Sequence, residues 1–230
     1  MSSKNLGYSI IIVSAAFTSS FMLFVYKLTV LEVSTTSWLV GCVVLGTYLL
    51  LVSLLGMAVR LRNGRDMLAL GAIIMSVVLA FGANLITELV YLSKNFITSL
   101  ACPTYDSTCL NLVHVTAMPA GLALLTIGAI GTYTLTYLLI KEVEATYWIK
   151  GYGSLLILAS GTLIIVASAL VIVKVAALSS GLIPSSEVAT YVVSLVVNTL
   201  LYVGAVLYTL GMTSCSYLLG RELIKPEAIG

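Results

Sequence analysis

Along the chain, six long stretches of apolar, mostly uncharged residues alternate with short polar junctions. By hydropathy they fall near 7–30, 35–59, 67–93, 117–140, 152–178 and 191–220. Each is about 24 to 30 residues long, and roughly 20 apolar residues in a helix are enough to cross a hydrocarbon core of about 30 Å. Backbone amides in lipid must pair within their own helix, so the pattern predicts six transmembrane helices. The expected fold class is therefore all-α, a polytopic bundle formed by residues 1–230 as a single domain. The first stretch begins behind one lysine, Lys4, and is too long for the core of a signal peptide, although Ser14-Ala15-Ala16 imitates a cleavage site.

Composition excludes the soluble alternative. The chain has 230 residues, of which 60% are hydrophobic and only 9% charged, and its mean hydropathy is +1.13. A soluble domain carries about a quarter charged residues. No linker, repeat or low-complexity tail interrupts the apolar stretches. Glutamine is absent, and scarcity of thermolabile amides is a thermophile tendency.

Lysine and arginine set the orientation. With the N-terminus inside, the inner junctions hold Lys4, Arg60, Arg62, Arg65, Lys141, Lys150, Arg221 and Lys225, and the outer ones only Lys27, Lys94 and Lys174. This asymmetry follows the positive-inside rule and puts both termini in the cytoplasm of a multi-pass cell-membrane protein. Trp38 outside and Tyr147-Trp148 inside stand where interfacial aromatics are expected. Arg60, Arg62 and Arg65 form a basic cytoplasmic turn, which topogenesis and anionic headgroups explain. A docking point for a cytoplasmic ATPase is the sharper reading of the same turn.

The longest connection, 94–116, is expected outside. Its Cys102 and Cys109 have six residues between them, a spacing suited to a local disulfide in an oxidising compartment. Loop-closure entropy gives such a bridge about 2 to 3 kcal/mol. His114 and Asp106 with these cysteines would make a four-ligand set, but oxidised sulfurs are not thiolate ligands, so no metal is expected. A lone histidine also argues against haem, and no cofactor is predicted. Cys42 and Cys215 fall within apolar stretches as small packing residues.

Ionisable groups in a span are costly and face a partner or water. Glu88 lies about one and a half turns from the outer end of the third stretch, with Asn84 four residues earlier. Lys27, Lys174 and Asn198 come at similar depth on the first, fifth and sixth stretches. Together these five residues form a candidate polar layer or pathway; the plainer alternative is snorkelling lysines, with Glu88 paired to one of them. Thr126, Tyr133 and Tyr137 make a polar stripe on the fourth stretch. Gly121/Gly128 and Gly204/Gly211 recur at seven-residue spacing, as in close helix seams.

No Walker A, H-E-x-x-H, G-x-S-x-G, C-x-x-C or paired intramembrane aspartates occur, so a non-enzymatic role is expected. In overall plan the chain resembles the polytopic membrane subunit of the crenarchaeal DNA-import (Ced) apparatus: six spans, compact cytoplasmic turns, no large domain and a thermophile-like composition. The likeness covers the whole chain as a plan, with no shared residue motif. It implies a non-enzymatic translocation component working with small membrane subunits and a cytoplasmic ATPase. Capture of nucleic acid needs clustered cations, whereas three lysines against Glu32, Glu88, Asp106 and Glu187 leave the outer side at −1. Direct nucleic-acid binding is therefore not expected of this chain. Two other roles fit: a substrate-binding subunit of a vitamin or metal-ion uptake transporter, docking through Ala15 and Ser19, and a structural assembly subunit.

Overall fold

In the computed structural model, residues 2–30, 35–63, 67–91, 107–179 and 187–225 are described. They form six helices and, among the described residues, no strand: α1 Ser3–Val30, α2 Thr35–Asn63, α3 Met67–Tyr91, α4 Ser107–Thr146, α5 Gly153–Ser179 and α6 Glu187–Ile224. Five of them contain stretches long and apolar enough to cross a membrane: Ser3–Tyr26, Leu39–Arg62, Met67–Leu85, Pro119–Thr146 and Ser194–Ile224. In α5 the apolar stretch described in full is Gly153–Ala167. The chain is an all-α polytopic membrane protein.

Helix boundaries depart from hydropathy at three junctions. The connection expected at 94–116 is shorter, because α4 starts at Ser107 and takes in Cys109 and His114. Pro119 lies inside this helix. Proline removes one backbone bond, a loss that a long membrane helix tolerates when neighbours re-satisfy the freed carbonyl. At 40 residues, α4 is about 60 Å long at 1.5 Å per residue, twice a hydrocarbon core. The other end of α4 runs through Lys141, Glu142 and Glu144 to Thr146, so polar residues expected in a junction are helical. Likewise α2 continues to Asn63, which places Arg60 and Arg62 in its last turn; cations there complement the helix dipole. Arg65 lies outside the described residues.

The chain divides into two compact units, Met1–Arg65 with Tyr137–Gly230, and Asp66–Thr136. In the first, α2 packs on α1, α1 on α6 and α6 on α5. Ser3 Oγ donates to the Leu223 carbonyl (3.1 Å), and the Thr18 and Thr213 hydroxyls are 2.5 Å apart, so α1 and α6 run antiparallel. The start of α1 and the end of α6 therefore lie at the same end of this unit. Phe17, Ile10, Leu51, Leu55, Ile157 and Met212 are buried in its core. Phe17 contacts Phe21 and Tyr48 with ring centroids 5.5 and 6.1 Å apart.

Glycine permits the closest approaches. A methyl group on Gly7 would sit 2.6 Å from the Gly220 carbonyl oxygen, and one on Gly211 would sit 2.8 Å from that of Gly153. Gly204 and Gly211 both face α5, as the seven-residue spacing predicts. In the second unit α3 packs antiparallel on the first part of α4, with Gly82 against the backbone of Leu124 and Leu125, and Gly128 against that of Leu79. With little hydrophobic force between helices in lipid, such backbone contact supplies the dispersion attraction that holds them.

Candidate functional site

The connection between α4 and α5 carries the densest polar structure of the first unit. Helix α4 ends with the Ile149 amide donating to the Glu144 carbonyl (3.0 Å), a bond that closes over Trp148 at φ 52°. This is the left-handed stop usually filled by glycine. A tryptophan there costs about 1 kcal/mol of backbone strain. The strain turns the indole outward, 86% exposed, where an amphipathic ring suits the lipid–water interface.

Glu144 joins this stop to the next helix. Its carboxylate accepts from the Ser154 amide (3.2 Å) and the Ser154 hydroxyl (2.6 Å). A carboxylate is well placed at a helix N-terminus, where unpaired amides and the helix dipole favour negative charge. Gly153 makes room for it: a methyl there would meet Glu144 Oε1 at 2.9 Å and the Cys215 Cβ at 3.0 Å. Cys215 is a buried free thiol, as a packing residue should be, whereas Cys42 is exposed on α2. The packing role expected of Cys42 is thus corrected: its face of the helix points outward.

On the other side, Tyr147 donates its hydroxyl to the Ala58 carbonyl of α2 (2.6 Å). Arg62 donates to the Thr146 carbonyl (2.8 Å) and stacks over the Tyr147 ring at 4.9 Å. Burial pushes the Tyr147 phenol above its ordinary value, with the Arg62 charge pulling the other way. The α4–α5 connection thus ties α2 to α5 at the end where the termini lie. Lys4, Arg60, Arg62, Lys141, Lys150 and Arg221 gather there, with Lys225 ion-paired to Glu222 at 2.5 Å. Seven of the eight cations assigned to the inner junctions thus share one end of this unit.

The polar layer expected around Glu88 falls largely outside the described side chains. Those of Lys27, Glu88 and Lys174 lie outside them, although their backbones belong to α1, α3 and α5. Asn84 is half-buried on α3, in the second unit, and Asn198 is exposed on α6, in the first. The Thr126 hydroxyl is exposed and turned back onto the Leu122 carbonyl (2.8 Å), which occupies its donor within its own helix. Cys102 lies outside the described residues, and Cys109 stands in the first turn of α4.

Sequence reasoning missed Glu144, Ser154 and the strained Trp148. A carboxylate nine residues before a helix that opens on the last glycine of Gly151-Tyr152-Gly153 was a usable signal for the cap. Among the described residues no group of three or more His, Cys, Asp and Glu could hold a metal ion. Buried Ser160 and Ser216 carry hydroxyls without a hydrogen-bond partner among the described residues. No protein-family model, curated protein or solved structure matches the chain.

Proposed function

We propose that the chain is a non-enzymatic integral membrane component of a translocation system in the cell membrane, assembled with other membrane subunits and a cytoplasmic ATPase. DNA import is the transport that its plan favours, and both termini face the cytoplasm. The observation that carries this reading is Asn198, exposed on α6 within the span Ser194–Ile224. A carboxamide has two donor hydrogens and acceptor lone pairs to satisfy, and no lipid tail can do so. Burying it unpaired costs about 2 to 7 kcal/mol. Tyr202, one turn further on, is also exposed. A face carrying both groups fits another protein helix or a watered path better than hydrocarbon.

The test is purification of the tagged protein from its own membranes in mild detergent. Small membrane subunits and an ATPase should accompany it, and Asn198→Leu should lose the membrane subunits. Isolation of the chain alone, together with unchanged DNA uptake in a deletion strain, would overturn the proposal.

One observation favours a second reading, an uptake-transporter subunit that binds a vitamin or metal ion. Ala15 and Ser19, the small residues expected to form its docking face, are both exposed on α1. Thermal-shift screening against vitamins and divalent metals separates the two: a saturable shift supports uptake, and a flat screen removes it.

A further inference from the structure

Helix α6 is covered along one half and bare along the other. Its residues 204–219 pack on α1 and α5, and of these only Leu210 and Tyr217 are exposed. Of the ten residues 194–203, by contrast, seven are exposed. Two polar groups stand on that bare half. Asn198 and Tyr202 are both exposed, and among the described residues neither side chain has a hydrogen-bond partner. Thr199 beside them shows the contrast: its hydroxyl donates to the Leu195 carbonyl at 2.8 Å, so its own helix satisfies it. The Asn198 carboxamide, with two donor hydrogens and an acceptor, makes no such bond, and hydrocarbon offers none.

We propose that a second copy of this chain covers the bare half of α6, pairing Asn198 with Asn198 across a two-fold axis along the membrane normal. The inference rests on the reading that protein, not lipid, covers Asn198, and it names that protein. Three considerations select a second copy. First, a carboxamide is its own complement, since each donates N–H to the other's carbonyl oxygen. Second, copies inserted in one orientation hold the residue at one depth, so a two-fold contact brings Asn198 to its counterpart. An unrelated helix would have to carry a polar side chain at that same level. Third, the spacing is that of a helix-pair seam. Leu195, Asn198, Tyr202 and Ala205 follow one another at intervals of three, four and three residues. One asparagine in such a seam fixes register and partner number. Ala205 is half-buried and small enough for close backbone approach. The next seam position, Thr209, is buried within its own unit. The contact therefore ends where α6 enters that unit and uses only the half left bare. Other membrane subunits then assemble on the pair.

The test uses full-length protein, singly labelled and diluted into phosphatidylcholine–phosphatidylglycerol vesicles, with copies counted by stepwise photobleaching. Wild type should pass from dimer to monomer as lipid is added in excess. An interhelical hydrogen bond in a bilayer changes association by about 3- to 30-fold, so Asn198→Leu should weaken dimerisation by that factor. Asn198→Gln, which keeps a carboxamide, should retain most of it. Asn198 is exposed, so neither change should disturb the monomer's own fold, as circular dichroism would show. In membranes from cells expressing the chain with Cys42→Ser, added Asn198→Cys should give a cross-linked pair on mild oxidation. Val196→Cys lies on the opposite side of the helix and should not. A wild type monomeric at every dilution, or equal dimerisation by wild type and Asn198→Leu, would overturn the proposal. So would cross-linking through Val196→Cys instead, or of Asn198→Cys to a different polypeptide. The two readings fail separately. A dimer isolated without other subunits or an ATPase keeps the pairing and loses the translocation role, whereas a monomer that brings those subunits does the reverse.

Discussion

Glu144 and Ser154, ten residues apart, hold each other at two points: the carboxylate takes the Ser154 amide at 3.2 Å and its hydroxyl at 2.6 Å. The bond pair spans the gap between two helices, so it fixes the start of α5 relative to the end of α4. Removing a cap of this kind costs about 0.5 to 2 kcal/mol. Glu144→Ala should lower the thermal midpoint in detergent, and Glu144→Gln, which keeps an acceptor but loses the charge, should lower it less. Equal midpoints for wild type and Glu144→Ala would show that the cap contributes nothing.

Trp148 sets backbone strain against membrane anchoring. Trp148→Gly removes the left-handed strain and should raise stability in detergent by about 0.5 to 1 kcal/mol. The same change removes an exposed indole from the interface. Depth-dependent quenching of tryptophan emission in bilayers, with Trp38 replaced by phenylalanine in the reference protein, should place Trp148 at headgroup level.

Glycines in contact and in open space should respond with opposite signs. Gly220→Ala pushes a methyl group into Ile11 and the Gly7 carbonyl, at 2.6 and 2.8 Å, and overpacking of this kind costs about 1 to 3 kcal/mol. At Gly46 nothing lies within 4 Å of an added methyl. Gly46→Ala should therefore stabilise α2 by up to about 1 kcal/mol through helix propensity. Thermal unfolding of the two single variants distinguishes packing from propensity.

The raised Tyr147 phenol links stability to alkaline pH. Because its folded-state value lies above the model-peptide value of 10.0, the folded protein keeps a proton that the unfolded chain has begun to lose. That contribution is complete below pH 10 and is lost as pH rises through the folded-state value. Wild type should thus lose stability above about pH 10 more steeply than Tyr147→Phe. The phenolate absorbance at 295 nm should also show one tyrosine fewer titrating late in the variant.

Buried hydroxyls without partners should be dispensable. Ser160→Ala and Ser216→Ala each remove a polar atom that is fully buried and unpaired among the described residues. Since leaving such a group unsatisfied costs about 1 to 3 kcal/mol, these variants should be neutral or more stable. A drop in midpoint greater than that of Cys215→Ala would reveal a bonding role for the serine.

Hydropathy reports how a segment is solvated, and it reads this chain well on that count. The apolar stretches and the glycines at 204 and 211 that face α5 follow from burial and from spacing. What it does not register is which neighbour a polar group finds. Residues 107–116 looked like loop because Asn111 and His114 dilute the apolar run, yet the backbone needs internal pairing there as much as elsewhere. Glu144 and Lys141 looked like junction residues for the same reason. The candidate polar layer asked for tertiary proximity among Lys27, Asn84, Glu88, Lys174 and Asn198, which depth along separate helices does not specify.

The bond from Ser3 to the Leu223 carbonyl spans 220 positions, nearly the whole chain, and this has a consequence for biosynthesis. Helix α1 leaves the ribosome well before α6, the helix that completes its packing. At about 5 to 20 residues per second, its Gly7 face waits on the order of 10 to 40 s for Gly220 to emerge. During that interval a strip of bare backbone is open to any other small-residue helix in the bilayer. Nascent chains stalled short of Gly220 are where wrong pairings, or a chaperoning insertase, should be caught.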